Sequence, residues 1–141
     1  MKGEDAVANP VTWARLEKPA VILIALHSFA VGVMLLLFPD WSVHFGGWPE
    51  AVYPQFFIRQ GGAFHVVLAA VYILDYSWNR SLGFMVVAKA AATLFLTASA
   101  FYYRGPWVIP ASAAGDAAMG LCAYFFYRRA STPNPRKSSR P

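Results

Sequence analysis

Residues 19–38 read PAVILIALHSFAVGVMLLLF, a run in which His27 is the only ionisable side chain. A helix needs about 20 mostly apolar residues to cross the hydrocarbon core of a bilayer, which is roughly 30 Å thick. Pro19 suits the start of a helix and Pro39 follows the run, so we expect a membrane-spanning helix over 19–38. This stretch predicts a protein that lies largely in lipid.

Three further segments have the same character, namely 55–76, 82–103 and 106–127. None of them has a polar face wide enough for a helix on the surface of a soluble protein. Only 13% of the 141 residues are charged, whereas soluble domains average roughly a quarter. The sequence therefore predicts an all-α protein with one domain over 19–127, an integral membrane four-helix bundle of up-down-up-down topology.

The basic residues predict the orientation of this bundle, because cytoplasmic loops accumulate Lys and Arg. The loop at 39–54 has no basic residue, and the loop after the third span has only Arg104. The opposite face of the membrane therefore carries the excess of basic residues. That face holds nine of the twelve basic residues: Lys2, Arg15, Lys18, Arg80, Arg128, Arg129, Arg136, Lys137 and Arg140. We expect a multi-pass protein of the cell inner (plasma) membrane with both termini cytoplasmic.

The two ends of the chain are predicted to lie outside the bilayer. Residues 1–18 form a cytoplasmic flank without a cleaved signal peptide, in which 11–18 could make a short interfacial helix. Residues 128–141 are basic and lack apolar side chains to pack, so we expect a disordered tail. The lipid bilayer is the expected partner, with a membrane-protein partner or a second copy of the chain as a further possibility and no nucleic acid.

Four ionisable side chains fall near mid-depth on four different spans: His27, His65, Lys89 and Asp116. Such groups are expensive in lipid and turn toward the interior of a helix bundle. The helical period of 3.6 residues places Tyr72 on the same inward face as His65. We therefore predict an intramembrane polar cluster or ligand-binding site.

Lys89 and Asp116 are predicted to form a buried ion pair, because neither has another neutralising group at its depth. The alternative is a protonatable pair on a path for a proton or solute. Arg59 belongs to the same set of candidates, either clamped to Asp40 and Glu50 or binding an anionic headgroup or a carboxylate.

No cofactor is expected, although His27 and His65 could supply the two axial nitrogens of haem b. A metal site of these two histidines with Asp116 is a further alternative. The single cysteine, Cys122, excludes an intrachain disulfide. Catalytic residues are not assigned, since no serine or cysteine stands in a nucleophile-plus-base pattern.

The segments GVMLLLFP, FGGWP, FFIRQGGAFHVVLAAVYILDY and GDAAMG together resemble small uncharacterised four-span bacterial membrane proteins of the DoxX-like kind. The resemblance covers about residues 20–127 and implies a four-helix membrane bundle without assigned chemistry. We expect a non-enzymatic accessory subunit or a binder of a small lipophilic molecule. The alternative is a small transport or haem-based electron-transfer module that uses His27, His65, Lys89 and Asp116.

Overall fold

The computed structural model describes residues 10–50 and 52–130, and all regular structure in these residues is helical. Four of the five helices, all but α2, are long and apolar enough to cross a membrane. The predicted all-α class is therefore confirmed. The helices are α1 (Pro10–Leu37), α2 (Pro39–Phe45), α3 (Phe56–Asn79), α4 (Gly83–Tyr102) and α5 (Val108–Ala130).

Helix α1 begins nine residues earlier than predicted, and Pro19 lies inside it. The expectation that Pro19 starts the helix is wrong. Residues 11–18 are helical, as predicted, but they are continuous with the first span as the beginning of α1. Pro10 is the first residue of the helix. A backbone N–H at this position would have no hydrogen-bond partner within the helix, so the lack of an N–H in proline costs nothing there. An internal proline removes one backbone hydrogen bond, but the helix can continue when the next turn is held by packing. Here Val21 and Ile24, which follow Pro19, are buried.

The other long helices lie close to the predicted spans, and the termini of the chain lie outside the described residues. Helix α3 begins one residue after the predicted 55–76 and continues to Asn79, while α4 is one residue shorter at each end than 82–103. Helix α5 begins two residues later than 106–127 and ends three residues later. The expectations for 1–9 and 131–141 are outside the described part, whereas residues 128–130, which we expected to begin a disordered tail, belong to α5.

The long helices form two pairs, α1 with α3 and α4 with α5, and the pairs meet along α1 and α5. Within the first pair, Arg59 near the start of α3 bonds to Leu36 near the end of α1. Val21 and Tyr76, from the opposite ends of these helices, share one buried cluster. The two helices of this pair therefore run antiparallel.

Two glycines set the closest approach of α1 and α3. A Cβ atom added to Gly62 would lie 2.8 Å from the carbonyl oxygen of Gly32, and a Cβ on Gly32 would lie 2.8 Å from that of Gly62. Small residues let helix backbones approach in lipid, where van der Waals packing drives association. These positions exclude any side chain larger than hydrogen.

The two halves of the molecule are packed differently. A buried core fills the half that contains the start of α1 and the end of α5, which we call the core end. Its members come from all four long helices and the residue before α4: Val21, Ile24, Ala25, Tyr72, Tyr76, Leu82, Met85, Ala123 and Phe126. In the opposite half, which we call the cap end, α3 packs on α1 and α4 packs on α5. A cleft remains between these two pairs.

Residues 39–48 form a structured cap over this cleft, where the sequence predicted only a loop. Pro39 at the first helical position and Asp40 in the first turn start α2. The backbone N–H of Val108 donates to the carbonyl of Gly46 at 3.2 Å, which joins the cap to the start of α5. Gly47 has φ of +93°, a conformation that side chains rarely adopt, so the cap turns there.

Candidate functional site

The cleft at the cap end has a volume of about 820 Å³ and receives side chains from all four long helices and the cap. Its walls are mostly apolar. His65 of α3 and Asp116 of α5 reach it at the inner end, next to the buried core. The side chains that define its walls and its inner end include His27, Trp48, Phe57, His65, Ala92, Phe95, Trp107 and Asp116.

The ion pair predicted between Lys89 and Asp116 is present. Nζ of Lys89 donates to Oδ1 of Asp116 at 2.5 Å, and the two side chains are 4% and 11% exposed. Gly120 makes room for the lysine, because a Cβ at this position would lie 3.2 Å from Cβ of Lys89. The pair therefore joins α4 to α5 by direct contact.

His65 stands out in this layer for two features. Its ring lines the cleft, and its Nδ1 atom is buried without a hydrogen-bond partner among the described residues. Buried polar atoms are otherwise satisfied in the great majority of cases. His65 also lies within electrostatic range of Lys89, Asp116 and His27, so the four predicted groups do come together.

His27 and Tyr72 occupy the two sides of this polar layer. His27 lines the cleft and is exposed along its wall. Tyr72 is only 3% exposed and belongs to the core, with its ring centroid 6.1 Å from that of Phe84. Asp116 is within electrostatic range of Tyr72. Tyr72 therefore supports the layer from the core side and does not line the cleft.

Arg59 does not make the predicted clamp with Asp40 and Glu50. Its Nη1 donates instead to the carbonyl oxygen of Leu36, in the last turn of α1. The last four carbonyls of a helix lack partners within the helix, and a nearby arginine can satisfy one of them. Asp40 accepts a bond from Nε2 of Gln55 at 2.7 Å, which ties the cap to the start of α3.

Asp75 and Arg80 make contacts within the end of α3. Oδ1 of Asp75 accepts from Nδ2 of Asn79 one turn later, at 2.9 Å. Arg80 donates to the hydroxyl of Tyr76 at 3.2 Å and lies over its ring. Both contacts are separate from the cleft.

The aromatic residues of the cap are the part of the site that sequence reasoning missed. Trp107 donates its indole N–H to the carbonyl of Phe45 at 2.7 Å and meets that ring edge-on, while Trp41 stacks on the same ring. Trp48 and Trp107 line the cleft below this contact. Their only signal in the sequence is a position near span ends, which predicts no more than an interfacial belt.

The geometry does not support a shared metal site. In the described part of the chain, no three His, Cys, Asp or Glu side chains come together as a possible ligand set. The alternative of one metal held by His27, His65 and Asp116 therefore gains no support from this arrangement and stays a prediction. Haem b between the two histidines stays a prediction.

Comparisons with protein-family models, with curated proteins and with solved structures found no match to this chain. The DoxX-like resemblance stays a prediction as well. The cleft and its polar layer are therefore the features of the molecule that point to a function.

Proposed function

We propose that this protein is a non-enzymatic, multi-pass protein of the plasma membrane that binds a small lipophilic molecule in the cleft at the cap end. The single observation that carries the proposal is the cleft of about 820 Å³, mostly apolar, with two polar groups at its inner end. Sites for small molecules typically measure about 300–1,000 Å³ and combine apolar walls with a few placed polar groups.

The proposed architecture is an up-down-up-down four-helix bundle with both termini in the cytoplasm. The antiparallel packing of α1 on α3 and the four long apolar helices support it. In this setting the cap faces the outer side, and the protein acts alone or as an accessory subunit of a membrane-protein partner.

The proposed ligand reaches the cleft from the lipid. Helices α3 and α4 both line the cleft but make few contacts with each other, so the gap between them faces the surrounding acyl chains. Phe57 and Phe95 line the cleft and are 65% and 71% exposed. On the opposite side, the cap is fixed by the hydrogen bonds of Trp107 and Val108 and separates the cleft from water.

Quenching of tryptophan fluorescence tests the proposal, because Trp48 and Trp107 line the cleft. Replacement of the other three tryptophans by Phe (Trp13→Phe, Trp41→Phe, Trp78→Phe) leaves these two as reporters. A brominated apolar probe, 2-bromo-6-methylnaphthalene, should quench them saturably in detergent-purified protein.

A matched pair of alanine variants locates the binding. Ala92 lines the cleft and Ala90 is exposed two positions away on another face of α4. We expect Ala92→Phe to weaken binding at least about tenfold by filling the space, which corresponds to about 1.4 kcal/mol, and Ala90→Phe to leave it unchanged. Absence of saturable quenching, or equal effects of both variants, would contradict the proposal. A Soret band that vanishes in His65→Ala would establish the haem-based alternative instead.

A further inference from the structure

Asp116 presents hydrogen-bonding capacity that its ion pair leaves unused. A carboxylate offers about four lone-pair sites on its two oxygens, and Lys89 donates to one of these oxygens, Oδ1. The other oxygen, Oδ2, has no hydrogen-bond donor of its own among the described residues. The side chain of Asp116 is 11% exposed and lines the cleft. A ligand in the cleft can therefore contact this carboxylate without displacing Lys89.

Oδ2 of Asp116 is accessible, unlike the unpartnered nitrogen of His65. In the described part of the chain, Nδ1 of His65 is the one polar side-chain atom that is both fully buried and without a hydrogen bond. Since Oδ2 of Asp116 lacks a hydrogen bond as well, it must retain accessible surface. Lys89 is 4% exposed and does not line the cleft. The cleft therefore offers a ligand the carboxylate and not the ammonium group.

The space beside this carboxylate is open. Gly115 precedes Asp116 and lines the cleft, and a Cβ atom added at Gly115 would meet no atom within 4 Å. Gly61 of α3 lines the cleft as well, and a Cβ added there would also meet no atom within 4 Å. The absence of side chains at these two positions leaves room for a ligand between α3 and α5.

An ionised carboxylate selects ligands by the direction of the hydrogen bond. As the anionic member of the ion pair, Asp116 accepts hydrogen bonds and has none to donate. An O–H or N–H group of a ligand can therefore bind it, whereas an ether or ketone oxygen would bring one acceptor against another. Hydrogen bonds to ionised groups are roughly twice as strong as those between neutral groups. The preference for a donor should therefore be large enough to measure.

The charge balance at this position favours a neutral donor. Lys89 and Asp116 neutralise each other at 2.5 Å. A cationic ligand would add a second positive charge beside Lys89 in mostly apolar surroundings, and an anionic ligand would face the carboxylate. Either ion would also lose its hydration on entering the cleft.

We infer that the ligand of the cleft is a neutral lipophilic hydrogen-bond donor, such as a phenol, an indole or a secondary amide, whose O–H or N–H group donates to Asp116. The apolar part of the ligand lies against the rings of Trp48, Phe57, Phe95 and Trp107. Aromatic walls favour flat ligands through offset and edge-on contacts. This inference rests on the proposed function, because it needs the cleft to hold a lipophilic molecule at all.

Three probes that differ in one group test the inference. The donor is 6-bromo-2-naphthol, whose phenolic hydroxyl stays neutral at pH 7. In 2-bromo-6-methoxynaphthalene an ether oxygen can only accept a hydrogen bond, and in 2-bromo-6-methylnaphthalene the substituent can neither donate nor accept one. All three are titrated against the two-tryptophan protein, and each affinity is corrected for the partition of the probe into the detergent.

We expect the native protein to bind the naphthol at least about tenfold more tightly than either of the other probes. The double variant Lys89→Met with Asp116→Leu removes the acceptor together with the charge that would otherwise be left unpaired. It should reduce the preference for the naphthol to less than about twofold.

A second double variant, Lys89→Met with Asp116→Asn, changes the selectivity without removing the polar group. An amide both donates and accepts hydrogen bonds, so this variant should bind the naphthol and the methoxy probe within about twofold of each other. Asp75→Asn is the matched control, because Asp75 is a carboxylate that bonds to Asn79 and does not line the cleft. It should leave the preference for the naphthol unchanged.

The outcomes separate this inference from the proposed function. Saturable binding of all three probes with equal affinity, or tighter binding of the methoxy probe, overturns the donor inference and leaves the lipophile-binding function standing. Failure of every probe to bind overturns both. A preference that survives in Lys89→Met with Asp116→Leu overturns the assignment to Asp116. If that variant does not fold, the asparagine variant and the comparison of the naphthol with the methoxy probe on native protein still decide.

Discussion

Lys89 and Asp116 neutralise each other, which lowers the free-energy cost of placing either charge in apolar surroundings. Each charge alone at the centre of a membrane helix costs about 2.5–3.5 kcal/mol on insertion scales. Their contact at 2.5 Å removes most of that cost and fixes α4 against α5. The ring of His65, whose Nδ1 is buried without a hydrogen-bond partner among the described residues, lies within electrostatic range of this pair.

The ion pair predicts a sharp difference between single and double substitutions. Lys89→Met or Asp116→Leu alone leaves an unpaired buried charge and should destabilise the protein by about 3–5 kcal/mol. The double variant removes both charges and should unfold near the native midpoint, as measured by loss of helical circular dichroism in increasing SDS.

Two results would contradict this role of the pair. One is a single variant as stable as the native protein. The other is a double variant as unstable as either single variant.

At the scale of the helices, the two pairs are held by different means. Helices α1 and α3 approach through Gly32 and Gly62 until the backbones touch, whereas α4 and α5 are joined by the ion pair beside Gly120. Backbone atoms cannot move aside for an added side chain, whereas the flexible side chain of a lysine can. The α1–α3 pair is therefore the more sensitive of the two to a single added methyl group.

Adjacent glycines in α3 provide a matched test of this contact. Gly62→Ala should destabilise the protein by about 1–3 kcal/mol, because the added Cβ would meet the carbonyl of Gly32 at 2.8 Å. Gly61→Ala meets nothing within 4 Å, and the better helix propensity of alanine should leave stability equal or up to about 1 kcal/mol higher. Thermal unfolding of detergent-purified protein measures both, and equal midpoints for the two variants would show that the helices are not in contact there.

At the scale of the whole molecule, a packed half and an open half meet at the polar layer. The core cluster joins all four long helices at one end, and the cap with its tryptophans closes the other end on one side. The cleft lies between them, where α3 and α4 separate. His65 and Asp116 therefore mark the inner limit of the cleft.

The proposed topology predicts the accessibility of single cysteines in intact cells. In a Cys122→Ser protein, Glu50→Cys in the loop after α2 should react with a membrane-impermeant maleimide. Ala6→Cys and Ser138→Cys should react only after the membrane is opened, because both termini are expected in the cytoplasm. Labelling of the two termini on opposite sides would rule out four spans.

The inward faces of the helices were predictable from the sequence alone. Helical periodicity placed Tyr72 on the inward face of α3, and Lys89 and Asp116 were expected to turn toward the interior; all three are buried. The same periodicity and the lack of another neutralising group at that depth predicted the ion pair. These features depend on composition and spacing within one segment, which the chain carries locally.

Three features could be identified only from the tertiary structure. They are the partner of Arg59, the folding of residues 39–48 as a cap, and the separation of α3 from α4. Arg59 bonds to a carbonyl of another helix, and a backbone carbonyl leaves no trace in the identity of Leu36. The cleft exists because α3 and α4, although consecutive, pack chiefly on other helices. Hydrophobic patterning marks which side of a helix is buried, but only the three-dimensional match of small residues and loops decides which neighbour covers it.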